Sequence, residues 1–116
     1  MRTILSKLNR TQGLRGSMIV NRDGIVAASE FAAEMDETGL GAVSSSILAA
    51  LEGAVKRLSL GKLQRYTIIG SENKVVIVDA GPTLLLMVVQ RDINMGLLNQ
   101  EVKEACQAIV ERAKIA

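Results

Sequence analysis

The chain has 116 residues, 48% of them hydrophobic, with 14 Lys and Arg against 12 Asp and Glu and a formal net charge of +2. That length suits one domain spanning 1–116, and the apolar content excludes a disordered chain. Near-balanced charge excludes the basic footprint of a nucleic-acid binder, and the absence of histidine with a single Cys106 excludes Ser-His-Asp triads, imidazole metal sites and internal disulfides.

In chain order, residues 2–12 read as a short helix, with Ile4, Leu5 and Leu8 on one face and Lys7, Asn9 and Arg10 turned away. Gly13 and Gly16 break it. Gly13-Leu14-Arg15-Gly16 resembles the clamp loop of RNA-binding KH domains, but that loop joins two helices. Here it reads as a helix cap and a tight entry into a strand. Ser17–Val20 and Ile25–Ser29 are expected strands, and Asn21-Arg22-Asp23-Gly24 between them is a hairpin signal, because Gly24 can adopt the positive φ that tight hairpins require.

Residues 31–41 read as a loop carrying the acidic cluster Glu34, Asp36 and Glu37, expected to be solvated surface. Ala42–Leu58 is the clearest helix. Val43, Ile47, Ala50, Leu51, Ala54 and Leu58 recur at helical spacing and are the expected core face. Three strands follow at Arg65–Gly70, Lys74–Asp79 and Thr83–Gln90, the last almost wholly apolar and expected to be buried on both faces. A helix from Asn94 to Ala113 closes the chain, with Asp92 or Asn94 as N-cap and a stripe of Leu98, Val102, Ala105, Cys106, Ile109 and Val110. Cys106 is expected to be a buried small hydrophobe. The order α-β-β-α-β-β-β-α predicts an α+β fold: one antiparallel five-stranded sheet sandwiched by three helices.

Nothing in the sequence assembles catalytic chemistry. No phosphate-binding loop ends in Gly-Lys-Ser or Gly-Lys-Thr, and no cofactor is implied. Met1–Leu8 lacks the apolar run of a signal peptide, and the longest apolar run, Leu84–Val89, is too short to span a bilayer, so a cytoplasmic protein without membrane insertion is expected.

The middle helix carries a different signal. Ala42, Ser46, Ala49 and Gly53 are spaced four, three and four residues apart, roughly opposite the expected core face, and all are small. Such a stripe lets a second helix approach closely, and Gly53 weakens the helix by about 1 kcal/mol relative to Ala. The polar residues Ser45, Glu52 and Lys56 occupy a flank, the candidate surface for a further partner. Tyr66-Thr67-Ile68-Ile69 has high β propensity and no charge, so exposure at a sheet edge would invite pairing with another chain.

Several segments together resemble the roadblock family of dynein light-chain type. They are the run from Gly16 through Asn21-Arg22-Asp23-Gly24 to Ala28, the Ala- and Ser-rich middle helix, Ile68-Ile69-Gly70, and the buried strand leading into Asn94-Met95-Gly96-Leu97. The resemblance runs from about Leu5 to Ala113 and departs at Met95, where Leu is common. It implies a roadblock/profilin-like fold and a homodimer in which the middle helix (Ala42, Ser46, Ala49, Gly53) packs on its mate and the third strand (Tyr66, Thr67, Ile68, Ile69) extends the partner's sheet. It further implies a non-catalytic regulator of a small Ras-like GTPase, with a scaffold that recruits partners without altering turnover as the alternative. No family-wide arginine finger exists to assign to Arg15, Arg22 or Arg57.

Overall fold

The apolar run Thr83–Gln90 becomes the middle strand of the sheet. The computed structural model describes residues 1–115 and orders them as α1 (Arg2–Leu8), β1 (Leu14–Asn21), β2 (Val26–Phe31), α2 (Glu37–Arg57), β3 (Arg65–Ile69), β4 (Asn73–Ala80), β5 (Thr83–Gln90) and α3 (Met95–Ile115). The strands lie in the order β2-β1-β5-β4-β3, every neighbouring pair antiparallel. A strand in the centre has both faces covered, and every residue from Thr83 to Val89 is buried.

Alternation distributes the sheet's side chains between two cores. On one face Ile19, Val76, Val78, Leu85, Met87 and Val89 pack with Leu5 and Leu8 of α1 and with Leu98, Val102, Ala105 and Ile109 of α3. On the other, Met18, Val20, Ile77, Leu84, Leu86 and Val88 meet Leu48 of α2. The expected α+β sandwich is therefore present. Gly24 has φ +92° in the β1–β2 turn, and Asn94 Oδ1 accepts from the Leu97 N–H at 3.1 Å as the cap of α3.

The α1 helix stops at Leu8, short of the expected residue 12. Asn9 ends it and does not point away: its amide donates to the Glu30 carbonyl at 2.9 Å, and its Oδ1 accepts from the buried Ser17 hydroxyl at 2.6 Å. A half-buried amide finds partners, and a reading that placed Asn9 by polarity alone missed them.

The start of α2 lies at Glu37, five residues before Ala42. Asp36 caps it by accepting from the Gly39 N–H at 3.1 Å, and Glu37 accepts from the Ser29 hydroxyl at 2.6 Å. Asp36 and Glu37 thus belong to a helix start rather than a loop, with the acidic charge placed where the helix dipole favours it.

The expected core face of α2 is overturned. Its buried residues are Gly41, Ser44 and Leu48, whereas Val43, Ala50, Ala54 and Leu58 are exposed and Ile47 and Leu51 half-buried. Close approach is the physical reason. A Cβ on Gly41 would stand 2.7 Å from the Gly24 carbonyl oxygen, so only a small residue permits the helix to lie this near the β1–β2 turn. Small and polar residues take the inward row, which hydrophobicity cannot reveal. Cys106 is likewise only partly buried.

Candidate interaction surface

The outward side of α2 carries two adjacent rows. Ala42, Ser46, Ala49 and Gly53 are all exposed, and beside them lie Val43, Ala50, Ala54 and Leu58, also exposed. Val43 is 56% accessible and Leu58 68%. Within the subunit nothing comes within 4 Å of a Cβ built on Gly53. The helix is long and apolar enough by length and composition to cross a membrane, with mean hydropathy 1.3 over its best window, yet only 17% of that window is buried. No residue of α2 after Leu48 is buried, so the last turns of the helix reach beyond the subunit's own core.

The strand β3 pairs with β4 alone and is an edge of the sheet. Thr67, Ile68 and Ile69 are exposed, Ile69 at 63%. An edge strand with unpaired backbone groups and bare isoleucines is a template for another strand. Tyr66 differs from its neighbours. It is half-buried and its hydroxyl donates to the Ser44 carbonyl at 2.8 Å, tying the edge to α2. Burial pushes its phenol above the ordinary value, with the Ser44 side chain acting in the opposite sense. Ile68 shares the Tyr66 side of β3, which is the side α2 covers. Among the described residues, the outward rows of α2 and Thr67, Ile68 and Ile69 of β3 are thus all exposed.

The Roadblock/LC7 domain family model matches residues 2–90. The chain belongs to the Roadblock/LC7 domain family. Three uncharacterised proteins of Methanocaldococcus jannaschii are similar over 106 residues, at 34%, 34% and 35% identity, covering 91% of this chain and 93%, 93% and 90% of theirs. Among solved structures, a Roadblock/LC7 domain from Streptomyces avermitilis superposes with TM-score 0.90 at 15% identity, covering 98% of each chain. MglB from Myxococcus xanthus superposes with TM-score 0.92 at 16% identity, over 98% of this chain and 94% of that one. An MglB with a tetrameric arrangement gives TM-score 0.89 at 23% identity, over 97% and 87%. At these identities the structural likeness establishes a shared fold.

On this roadblock fold the polar flank of α2 turns partly inward. Ser45 donates its hydroxyl to the Arg22 carbonyl, and Glu52 lies 3.8 Å from the Arg22 guanidinium, while Lys56 stays exposed. Arg22, which sequence reasoning left without a role, is a junction. It forms a hydrogen-bonded ion pair with Asp79 of β4 and donates to the Gly81 carbonyl at 3.3 Å. Lys62, on the connection from α2 to β3, pairs with the other oxygen of Asp79 at 3.1 Å. Asp79 drew no attention in the sequence, because a single carboxylate ending an apolar strand announces no contact. Arg15 is held by Asn73 Oδ1 at 2.7 Å, and Arg57 is exposed in the last turn of α2.

Chemically the molecule is quiet among the described residues. No three of His, Cys, Asp and Glu gather as a metal cluster, and no buried side-chain polar atom lacks a hydrogen-bond partner. Burial pushes the Cys106 thiol up; the Arg65 charge opposes this and that of Asp79 adds to it. A thiol so raised is protonated near neutrality and a poor nucleophile.

Proposed function

We propose that this chain is a non-catalytic homodimeric regulator of a small Ras-like GTPase, acting in the cytoplasm. The observation that carries the reading is the pair of unpartnered elements on one subunit: the smooth outward rows of α2 and the open β3 edge. Two copies related by a two-fold axis satisfy both at once, α2 against α2 and β3 against β3, since an isologous contact repeats each surface on its mate. The small row favours a protein partner over lipid. Helices that lie on membranes present Trp, Phe and Leu against a Lys- and Arg-rich face, whereas this row is Ala, Ser and Gly. Membership of the Roadblock/LC7 family, and the likeness to MglB including a tetrameric arrangement, support assembly beyond a single subunit.

Regulation follows from the same economy of chemistry. In this reading the chain acts by positioning the GTPase's own switch segments, since no arginine here has a role assigned as a reacting group. Lys56 and the exposed part of Glu52, beside the α2 rows, are the proposed contact for the GTPase. The test has two parts. Light scattering at micromolar concentration should give twice the 12.4 kDa subunit mass. Single-turnover GTP hydrolysis by a small Ras-like GTPase from the same organism should accelerate when the protein is added. Binding without acceleration assigns the scaffold role; no binding to the GTPase overturns the reading.

A further inference from the structure

The α2 helix is anchored by Gly41, Ser44 and Leu48, all in its first twelve residues. Beyond Leu48 the direction of the helix, which the outward rows depend on, rests on half-buried Leu51 and Val55 and on the Glu52–Arg22 pair. The connection that follows is also thinly held. Leu58 and Leu60 are exposed, Ser59 sits at φ +56°, and the chain regains the sheet through Lys62, half-buried Leu63 and the Gln64 carbonyl, which accepts from the Asp79 N–H at 2.8 Å. One carboxylate stands behind both. Asp79, whose side chain is only 15% exposed, binds Arg22 through one oxygen and Lys62 through the other.

We infer that Asp79 is the positioning residue of the dimer surface, setting the angle of the outer half of α2 through Arg22 and Glu52 and seating the entry to β3 through Lys62. The inference rests on the dimer reading above. Without this carboxylate, Lys62 loses its counter-charge and Arg22 keeps only the longer 3.8 Å pair with Glu52, so two neighbouring cations share one carboxylate and like charges at this range repel. The two elements then lose their common reference while Leu48, Tyr66 and the cores on both faces of the sheet are untouched. Exposed ion pairs contribute little singly, but a mostly buried carboxylate shared by two cations is screened less.

Three variants and two measurements test this. Sedimentation velocity of the full chain should show Asp79→Asn weakening dimerisation about tenfold, and Asp79→Glu, which keeps the charge, recovering most of it. Glu52→Gln should weaken it only about threefold. Amide hydrogen exchange separates positioning from a loss of contact. In Asp79→Asn, residues 52–58 and 59–64 should exchange faster together, while Glu52→Gln should affect the first segment alone and the amides of β1 and β5 should stay protected in both. Should Asp79→Asn fail to fold, the double variant Glu52→Gln, Lys62→Gln, which changes only exposed side chains, replaces it with the same tenfold expectation. A folded Asp79→Asn (or its replacement) that dimerises like the wild type and leaves exchange over 52–64 unchanged overturns the inference. A wild-type chain that is monomeric overturns the dimer reading instead, and the exchange measurement then decides the anchoring on its own.

Discussion

The two edges of the sheet are built from comparable strands and are treated in opposite ways. At the β2 edge, Glu30 is clasped by α1: its carboxylate accepts from Ser6 at 2.9 Å, its carbonyl accepts from Asn9, and Ser29 next to it donates to Glu37 at the start of α2. At the β3 edge, Arg65 donates to Asn99 of α3 at 2.7 Å and Tyr66 to the Ser44 carbonyl of α2, but the outer three residues, Thr67, Ile68 and Ile69, meet solvent without a clasp. A sheet needs no polar clasp where another strand will cover it, and it needs one where none will. The difference between the edges, rather than the exposure of any one residue, separates the face proposed to bind a second copy from the face that closes the subunit on itself.

That contrast can be broken most strongly at Gly53. The open space around it leaves room for Leu within the subunit, and Leu is the better helix former. Gly53→Leu should therefore keep its helical circular dichroism while its dimer weakens by about a hundredfold or more, because overpacking of about 1–3 kcal/mol is met twice across a two-fold axis. Light scattering checks the mass. If this variant remains a dimer with undiminished partner binding, the α2 rows are solvated surface.

Asn9→Ala breaks the closed edge. It removes the partners of the Glu30 carbonyl and of the fully buried Ser17 hydroxyl. An orphaned buried hydroxyl and a lost hydrogen bond should together lower subunit stability by about 1–3 kcal/mol. Urea denaturation of the Gly53→Leu subunit, with and without Asn9→Ala, reads this apart from assembly, and the dimer constant of Asn9→Ala alone should not move. Ile69→Lys is the sharper counterpart at the open edge. A lysine guards an edge strand without disturbing a side chain that is already exposed, so the dimer should weaken about tenfold at unchanged subunit stability.

The smallest effect is expected at the one tie between the open edge and α2. Tyr66→Phe removes the bond to the Ser44 carbonyl and should cost about 1 kcal/mol of stability. It also isolates a pH dependence. Burial raises the Tyr66 pKa above its ordinary value of 10.0, so the neutral phenol is favoured in the folded state. The contribution is complete below pH 10 and is lost as pH rises through the folded value, because the unfolded chain ionises first. Wild-type stability should therefore fall more steeply above pH 10 than that of Tyr66→Phe, and parallel curves would remove the assigned cause.

Legibility followed the length scale of the physics. Strand alternation, the Asp23-Gly24 turn and the apolar run into Gln90 are local or periodic signals, and β1, β2, β4, β5 and α3 came out within a few residues of their expected bounds. Boundaries erred where a side chain reached across the fold. Asn9 left the helix face for Glu30 and Ser17, and Asp36 with Glu37 became a capped helix start. The Ala42, Ser46, Ala49 and Gly53 row was legible as small, and the fold places it outward. The row thought to be core was also outward, and Ser45 and Glu52 proved to be engaged by Arg22.

By itself, then, the sequence determined the order of elements, the central buried strand and the absence of histidine chemistry, because composition and periodicity record what each segment can bury, while the family resemblance lay in particular segments such as Gly16–Ala28. Only the tertiary structure decided which side of α2 meets the sheet. That choice turned on a backbone approach at Gly41 and Gly24 too close for any side chain, where smallness outranks hydrophobicity. It also decided that one carboxylate, Asp79, sits between Arg22 and Lys62. Charges 57 and 17 residues apart in the chain meet only when the sheet brings its turns together, and no local pattern encodes a meeting at that separation.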